Sequence, residues 1–204
     1  MAAGDSALTV CSDALILLGA APISSFNEGS DEANTCDRLY RDVKNMTLQI
    51  YPWSFSFKKV QLARTVNTPI NEWQYEYQMP SDRIGPPRAV FDSLSVGARP
   101  FKDWEIYGDK LLTNEEIIVI DYQYSVSESN MPVWFVQLLK YQMAWHLAEP
   151  ITDQVSKAQY WKEIATGSPG ENNRGGYLRT AMNIDGQGNT PQAFEDYSLI
   201  AVRY

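Results

Sequence analysis

The chain has 204 residues, 44% hydrophobic and 12% aromatic, which is enough apolar material for a packed core and excludes a globally disordered polypeptide. Its net charge of −8 argues against a tight nucleic-acid binder, which needs a basic face to neutralise phosphates. The longest apolar run, residues 14–21, falls far short of the roughly 20 residues that span a bilayer, and the opening Met1-Ala-Ala-Gly-Asp-Ser has no basic region ahead of an apolar core, so neither a membrane helix nor a secretory signal is expected.

Asp5 or Ser6 is placed to cap a first helix. Its apolar positions Ala7, Leu8, Cys11, Ala14, Leu15 and Leu18 recur at steps of three and four. Gly19 stops it and Pro22 follows. A second helix starts at Ser30 or Asp31. Its inner stripe is Ala33, Cys36, Leu39 or Tyr40, Val43, Thr47 and Ile50, with Asp37, Arg38, Arg41, Asp42 and Lys44 mostly solvated. Cys11 and Cys36, the only cysteines, both fall on inner stripes and read as small core residues of a reducing compartment.

Pro52 ends the second helix, because proline lacks an N–H and restricts the residue before it. Trp53, Phe55 and Phe57 alternate with Ser54, Ser56 and Lys58, as in a half-buried extended segment. Trp73, Tyr75 and Tyr77 alternate with Gln74, Glu76 and Gln78 in the same way. Strands are expected over residues 57–63, 73–79, 87–91, 105–107, 110–112 and 117–124, with Gly108-Asp109 at a hairpin centre. Residues 66–71 form a polar turn, exposed at the tip of a first hairpin. Short strands separated by turns point to a small antiparallel barrel or sandwich.

Met131-Pro132 opens a third helix, apolar on more than one face and therefore central. Pro150 is expected to break it, and Thr152 or Asp153 to cap a fourth. The Gly-, Asn- and Ser-rich stretch 167–176 reads as a mobile linker. Residues 178–204 carry few core positions and read as an arm, unstructured alone or ordered against a neighbour. Its apolar end, Tyr197, Leu199, Ile200, Val202 and Tyr204, is the candidate interface. The expected class is α+β: a helical bundle of four main helices (1–52 plus 129–166), an inserted small antiparallel β barrel or sandwich (53–128), and a linker with an extended C-terminal arm (167–204).

Chemistry is sparsely signalled. His146 is the single histidine, so any Ser-His or Cys-His relay must use it, and it sits between Trp145 and Leu147 in an apolar helix. No zinc-type spacing, Walker loop or dinucleotide fingerprint is present, and no cofactor or metal is expected. Glu28 with Asp31, and Glu115 with Glu116, are the carboxylate pairs that could serve glycoside hydrolysis. Their polar contexts offer nothing to raise a pKa. Trp73, Tyr75, Tyr77, Trp104, Tyr107, Tyr122 and Tyr124 could stack on sugars, but alternating aromatics on a strand more often form core and interface.

Several segments together carry a resemblance. They are Leu17-Leu18-Gly19-Ala20-Ala21-Pro22-Ile23 closing the first helix, and Leu48-Gln-Ile-Tyr-Pro-Trp53-Ser-Phe55 closing the second. Next come Lys59-Val-Gln-Leu62-Ala63, Trp73-Gln-Tyr75-Glu-Tyr77-Gln-Met-Pro80-Ser-Asp82, and Met131-Pro132 before the late helices. Over most of residues 5–165 the chain resembles the tail tubular protein A family, the head-to-tail adaptors of short-tailed phages. That family has an arginine soon after its Pro-x-Asp element, and Arg83 stands close to that place. Residues 166–204 match poorly.

The resemblance implies a virion tail protein, assembled in the host cytoplasm and not an enzyme. Twelve copies would form a ring between the portal protein and the tail nozzle, with DNA passing through unbound and no membrane partner. An acidic surplus suits such a bore. The competing reading is a phage cell-wall-degrading glycoside hydrolase.

Overall fold

The computed structural model describes residues 5–66, 69–95 and 97–188. The architecture is mixed α+β, with five α-helices and two three-stranded antiparallel sheets among the described residues.

Helix α1 spans Ala7–Leu18 and α2 spans Asp31–Gln49. Ser6 and Ser30 cap them, each hydroxyl accepting a backbone N–H (from Thr9 and Ala33) at 3.2 Å. The α1 terminus is a Schellman ending: Gly19 takes φ 78°, its N–H bonds to Ile16 O, and Ala20 N–H reaches Leu15 O. On α2 the inner stripe is Ala33, Cys36, Tyr40, Val43, Thr47 and Leu48, with Tyr40 rather than Leu39 the buried alternative and Ile50, expected on the stripe, half-buried at the C-cap.

Helix α3, Val133–Thr152, touches all four other helices, as its all-round apolarity predicted. It does not break at Pro150. The proline sits inside the last turn, and the helix runs on to Asp153, whose N–H returns to Glu149 O and whose φ of 52° turns the chain. So late a position costs one hydrogen bond of an already fraying turn, which is why the proline is tolerated. Helix α4, Val155–Thr166, then starts without a side-chain cap, neither Thr152 nor Asp153 serving as one.

The largest departure from expectation is at residues 167–188. The glycine-rich stretch is a tightly packed turn. A Cβ on Gly176, which has φ 53°, would lie 2.6 Å from Ile164 O, so only glycine lets the chain pass so close to α4. Helix α5, Gly176–Gln187, follows, and its Leu178 and Ala181 are fully buried in the helical core. The arm expected from residue 178 onward is therefore helical for its first part. Its apolar content was too low to announce a helix, because only one narrow stripe is needed to dock on α3 and α4.

The expected strands appear with shifted ends, four shortened and two, β4 and β5, one residue longer: β1 Phe57–Gln61, β2 Tyr75–Gln78, β3 Ala89–Phe91, β4 Trp104–Tyr107, β5 Lys110–Thr113 and β6 Val119–Gln123. The sheet orders are β1-β6-β3 and β2-β5-β4. The Gly108-Asp109 hairpin forms as predicted, pairing Tyr107 with Lys110. Strand β1 pairs along its length with β6, and the first hairpin is reduced to a short pairing of residues 63–65 beyond β1 with residues 76–78. Single bridges tie a residue outside the strands to each sheet, Arg64 to Tyr77 of β2 and Phe101 to Val90 of β3. Val66 and Ile70, expected in an exposed turn, are fully exposed. The sheets enclose their own core of Leu62, Tyr77, Met79, Val90, Leu111, Ile118, Ile120 and Tyr122.

Candidate functional site at the junction of helices and sheets

Residues 51–57 connect the helical core to the sheets. The extended segment expected from the Trp/Phe alternation is instead a single 3-10 turn, Ser54–Ser56. Tertiary partners override the local period. Trp53 is fully buried, and its Nε1–H donates to Thr47 O at 3.1 Å. Both Trp53 and Phe55 pack edge-on against Phe135, at centroid distances of 5.4 and 5.0 Å, with Trp134 completing the cluster. Edge-to-face rings are favoured by the aromatic quadrupole.

Two polar ties lock this crossing, and a third fastens Glu128 to α2. Gln123 at the end of β6 places Nε2 within hydrogen-bond reach of Leu48 O (2.6 Å), Tyr51 O (3.1 Å) and Ser56 Oγ (2.9 Å). Asp185 of α5 accepts from Ser54 N–H (3.0 Å) and Ser54 Oγ–H (2.6 Å). Glu128 accepts from Tyr40 OH (3.0 Å) and Lys44 Nζ (2.8 Å). Burial pushes the Glu128 carboxyl up, but Lys44, backbone donors and Tyr40 outweigh it and hold it below its ordinary value. Burial and the Glu128 charge together push the Tyr40 phenol up.

Beside the crossing opens a cleft of about 910 Å³, lined by Gln49, Tyr51, Ser54, Phe57, Arg88 and Gln123, among others. Arg88, whose guanidinium lies 5.0 Å from the Phe57 ring centre, is the charged group lining it. Gln49 Nε2 donates to Ile84 O across it. Gln49 and Gln123 line the cleft, both with their Nε2 already engaged, and Arg88 is its one charged side chain among the described residues.

The Pro-Ser-Asp82 element lies at the rim of the first sheet. Asp82 accepts from Tyr122 OH and Lys58 Nζ, each at 2.9 Å. Burial raises its pKa, and Lys58 and Tyr122 more than offset that, so it is net lowered. The Tyr122 phenol is pushed up to about 12 by burial and by Asp82. Arg83 reaches Gly85 O and Gly108 O, fastening the β4–β5 turn to that rim.

The carboxylate pairs proposed from sequence occupy structural positions. Glu28 accepts from the Ser30 and Ser24 hydroxyls and the Ser24 and Ser25 amides. Those bonds, that from Ser30 foremost, lower its pKa to about 2, opposite to what a general acid needs. Glu28 thereby organises the loop before α2, with Asp31 in the first helical turn. Glu115 contributes its backbone carbonyl to Tyr77 OH, and Glu116 accepts from Tyr75 OH at 3.3 Å. His146 stacks on Trp145 at 4.3 Å, its pKa lowered by burial and its Nε2 without a partner among the described residues. Cys11 and Cys36 are buried free thiols. The expected docking residues Tyr197, Leu199, Ile200, Val202 and Tyr204 lie outside the described residues.

Sequence reasoning missed two surface features. Four cations of the sheets cover aromatic rings: Lys58 on Tyr124, Lys59 on Phe91, Arg64 on Tyr75 and Arg88 on Phe57. Their signal was the mixing of Lys and Arg with Phe and Tyr, but the pairs are brought together by strand register. Second, large apolar side chains stand exposed on both layers: Val66, Ile70 and Leu94 on loops of the sheets, and Ile16, Leu17, Val155 and Tyr160 on the helices. Among the described residues no helix is long and apolar enough to cross a membrane. No family model matches the chain, and no curated protein matches it significantly.

Proposed function

We propose that this polypeptide is a structural virion protein: an adaptor subunit between the portal and the tail nozzle of a short-tailed phage. Twelve copies form a ring through which DNA passes without specific binding. On this reading the main helices act as a bundle, and the six strands form one small barrel whose halves meet through residues outside the strands, Arg64 at Tyr77 and Phe101 at Val90. The segment after residue 188 serves as an arm.

The observation that carries the proposal is the pair of exposed apolar sets, one on the sheets and one on the helices. A closed heterologous ring asks each copy for two different faces, and stacking between two other rings asks for more. Apolar side chains on loop tips gain free energy only when a neighbour covers them. The segments behind the resemblance support the same reading. Trp53, Phe55 and Asp82 are the residues that join helices to sheets and tie the sheet rim, so they hold the two sets in a fixed relation.

The test is negative-stain imaging of the purified protein alone and with its portal, for the native chain and for Val66→Asp/Ile70→Asp. The native protein is expected to add a ring to the portal. The variant, altered only at exposed sites, should keep its thermal stability and fail to assemble. A native protein that never joins the portal, or peptidoglycan clearing on a zymogram, would overturn the proposal.

A further inference from the structure

A second pocket, of about 380 Å³, lies where the end of α2, the middle of α3, α4 and the turn before α5 meet. Met46, Ile50, Gln142, Trp145, Lys162 and Arg174 are among its lining. Gln142 is 0% exposed, and among the described residues neither its Nε2 nor its Oε1 has a hydrogen-bond partner. A buried carboxamide with both ends unpaired is rare, because it forfeits its hydration without compensation. Lys162 and Arg174 are in no ion pair among the described residues; Lys162 instead rests 5.4 Å from the Trp145 ring centre. No Asp or Glu lines the pocket. In a chain of net charge −8, this is a local reversal of sign.

These features specify a visitor. A simple anion would satisfy the two cations and the Gln142 N–H, but not the Gln142 oxygen. A peptide group carries both a donor and an acceptor and answers both ends. Trp145, Met46 and Ile50 add an apolar wall suited to an aromatic or aliphatic side chain. The fitting ligand is therefore an acidic peptide with apolar neighbours. To meet Gln142 it must displace a rim side chain, and unbranched Met46 and Lys162 have the freedom to move.

The chain carries such a sequence in Phe194-Glu195-Asp196-Tyr197. Helix α5 leaves the pocket rim just after Arg174, and its 12 residues rise about 18 Å. The seven residues after Gly188, ending at Glu195, span at most about 25 Å, so Glu195 is the first acid beyond α5 able to return to the rim. We propose that residues 194–197 of the same polypeptide occupy this pocket, with Glu195 and Asp196 between Lys162 and Arg174 and a backbone amide on Gln142. The free chain thereby stores its terminal segment on its own helical layer. The inference stands independently of the ring proposal.

Hydrogen exchange on the full-length protein tests it. Amides of residues 193–198 should be protected, and exchange should accelerate about tenfold or more in Lys162→Glu/Arg174→Glu, with the helices unchanged. Gln142→Leu, which fills the same space without the amide, should accelerate it partly. Adding Glu195→Lys/Asp196→Lys to the charge-reversed pocket should restore protection. Carbodiimide coupling of mixed heavy and light protein should link Lys162 to Glu195 or Asp196 within one copy. Unprotected native residues 193–198, protection indifferent to the pocket variants, failed restoration, or links only between copies would each overturn the proposal.

Discussion

Removing the Asp185 carboxylate should unfasten α5 from the crossing turn. Asp185 is 5% exposed and accepts both the N–H and the hydroxyl of Ser54. A hydrogen bond to a charged group contributes about 1.5–3 kcal/mol. The two bonds share one carboxylate and one partner residue, so they do not simply add. Asp185→Ala leaves the Ser54 N–H without its acceptor, and a loss of about 3 kcal/mol is expected. In a chain of this size each kcal/mol moves Tm by about 2–4 °C, so the fall should be about 6–12 °C. Asp185→Asn retains an acceptor oxygen and should cost about 1 kcal/mol. Ser54→Ala removes only the hydroxyl bond and should fall near the Asn variant. In the double variant Asp185→Ala/Ser54→Ala, the cost should be less than the sum of the singles. Calorimetric unfolding at neutral pH reads all four. No measurable shift in Asp185→Ala, or strictly additive costs, would refute the claim that this carboxylate holds α5 to the junction.

Leu178→Ala empties a fully buried site beneath α5 and should cost about 2–5 kcal/mol in urea unfolding, against almost nothing for a residue of a free arm. Gly176→Ala drives a Cβ to 2.6 Å from Ile164 O at positive φ, and should cost about 1–3 kcal/mol by thermal melt. Glu128 has its pKa lowered in the fold, so its ion pair contributes fully above the ordinary value of 4.5 and is lost as pH falls through the lower folded value. Glu128→Gln should therefore be less stable than the native chain at pH 7, with the difference shrinking below pH 4.5 in a pH series of melts. His146 is also lowered, from 6.5, so the fold is favoured above that pH and weakens as acid protonates the unfolded chain first. His146→Phe should flatten the stability profile just below that pH.

Much of the molecule could be read without coordinates. Ser6, Gly19 and Ser30 mark the helix ends because caps are local chemistry, settled by one residue's conformation and its nearest amides. Six strands and the Gly108-Asp109 hairpin follow from runs of strand formers between turn residues, one clean period of two at residues 73–78, and a turn dipeptide. The centrality of α3 follows from its apolar girth. What local pattern could not settle depends on partners distant in the chain. The 51–57 crossing alternates like a strand but turns, since Phe135 and Asp185, far along the chain, hold its aromatic rings and its serine. Residues 167–176 have the composition of a linker but pack as a turn, because their glycines permit contacts that only the docking of α5 creates. Composition and period report what each segment can adopt alone; the pairing of Ser54 with Asp185, or of Lys59 with Phe91, is an energy shared between segments and exists only once the chain has closed on itself.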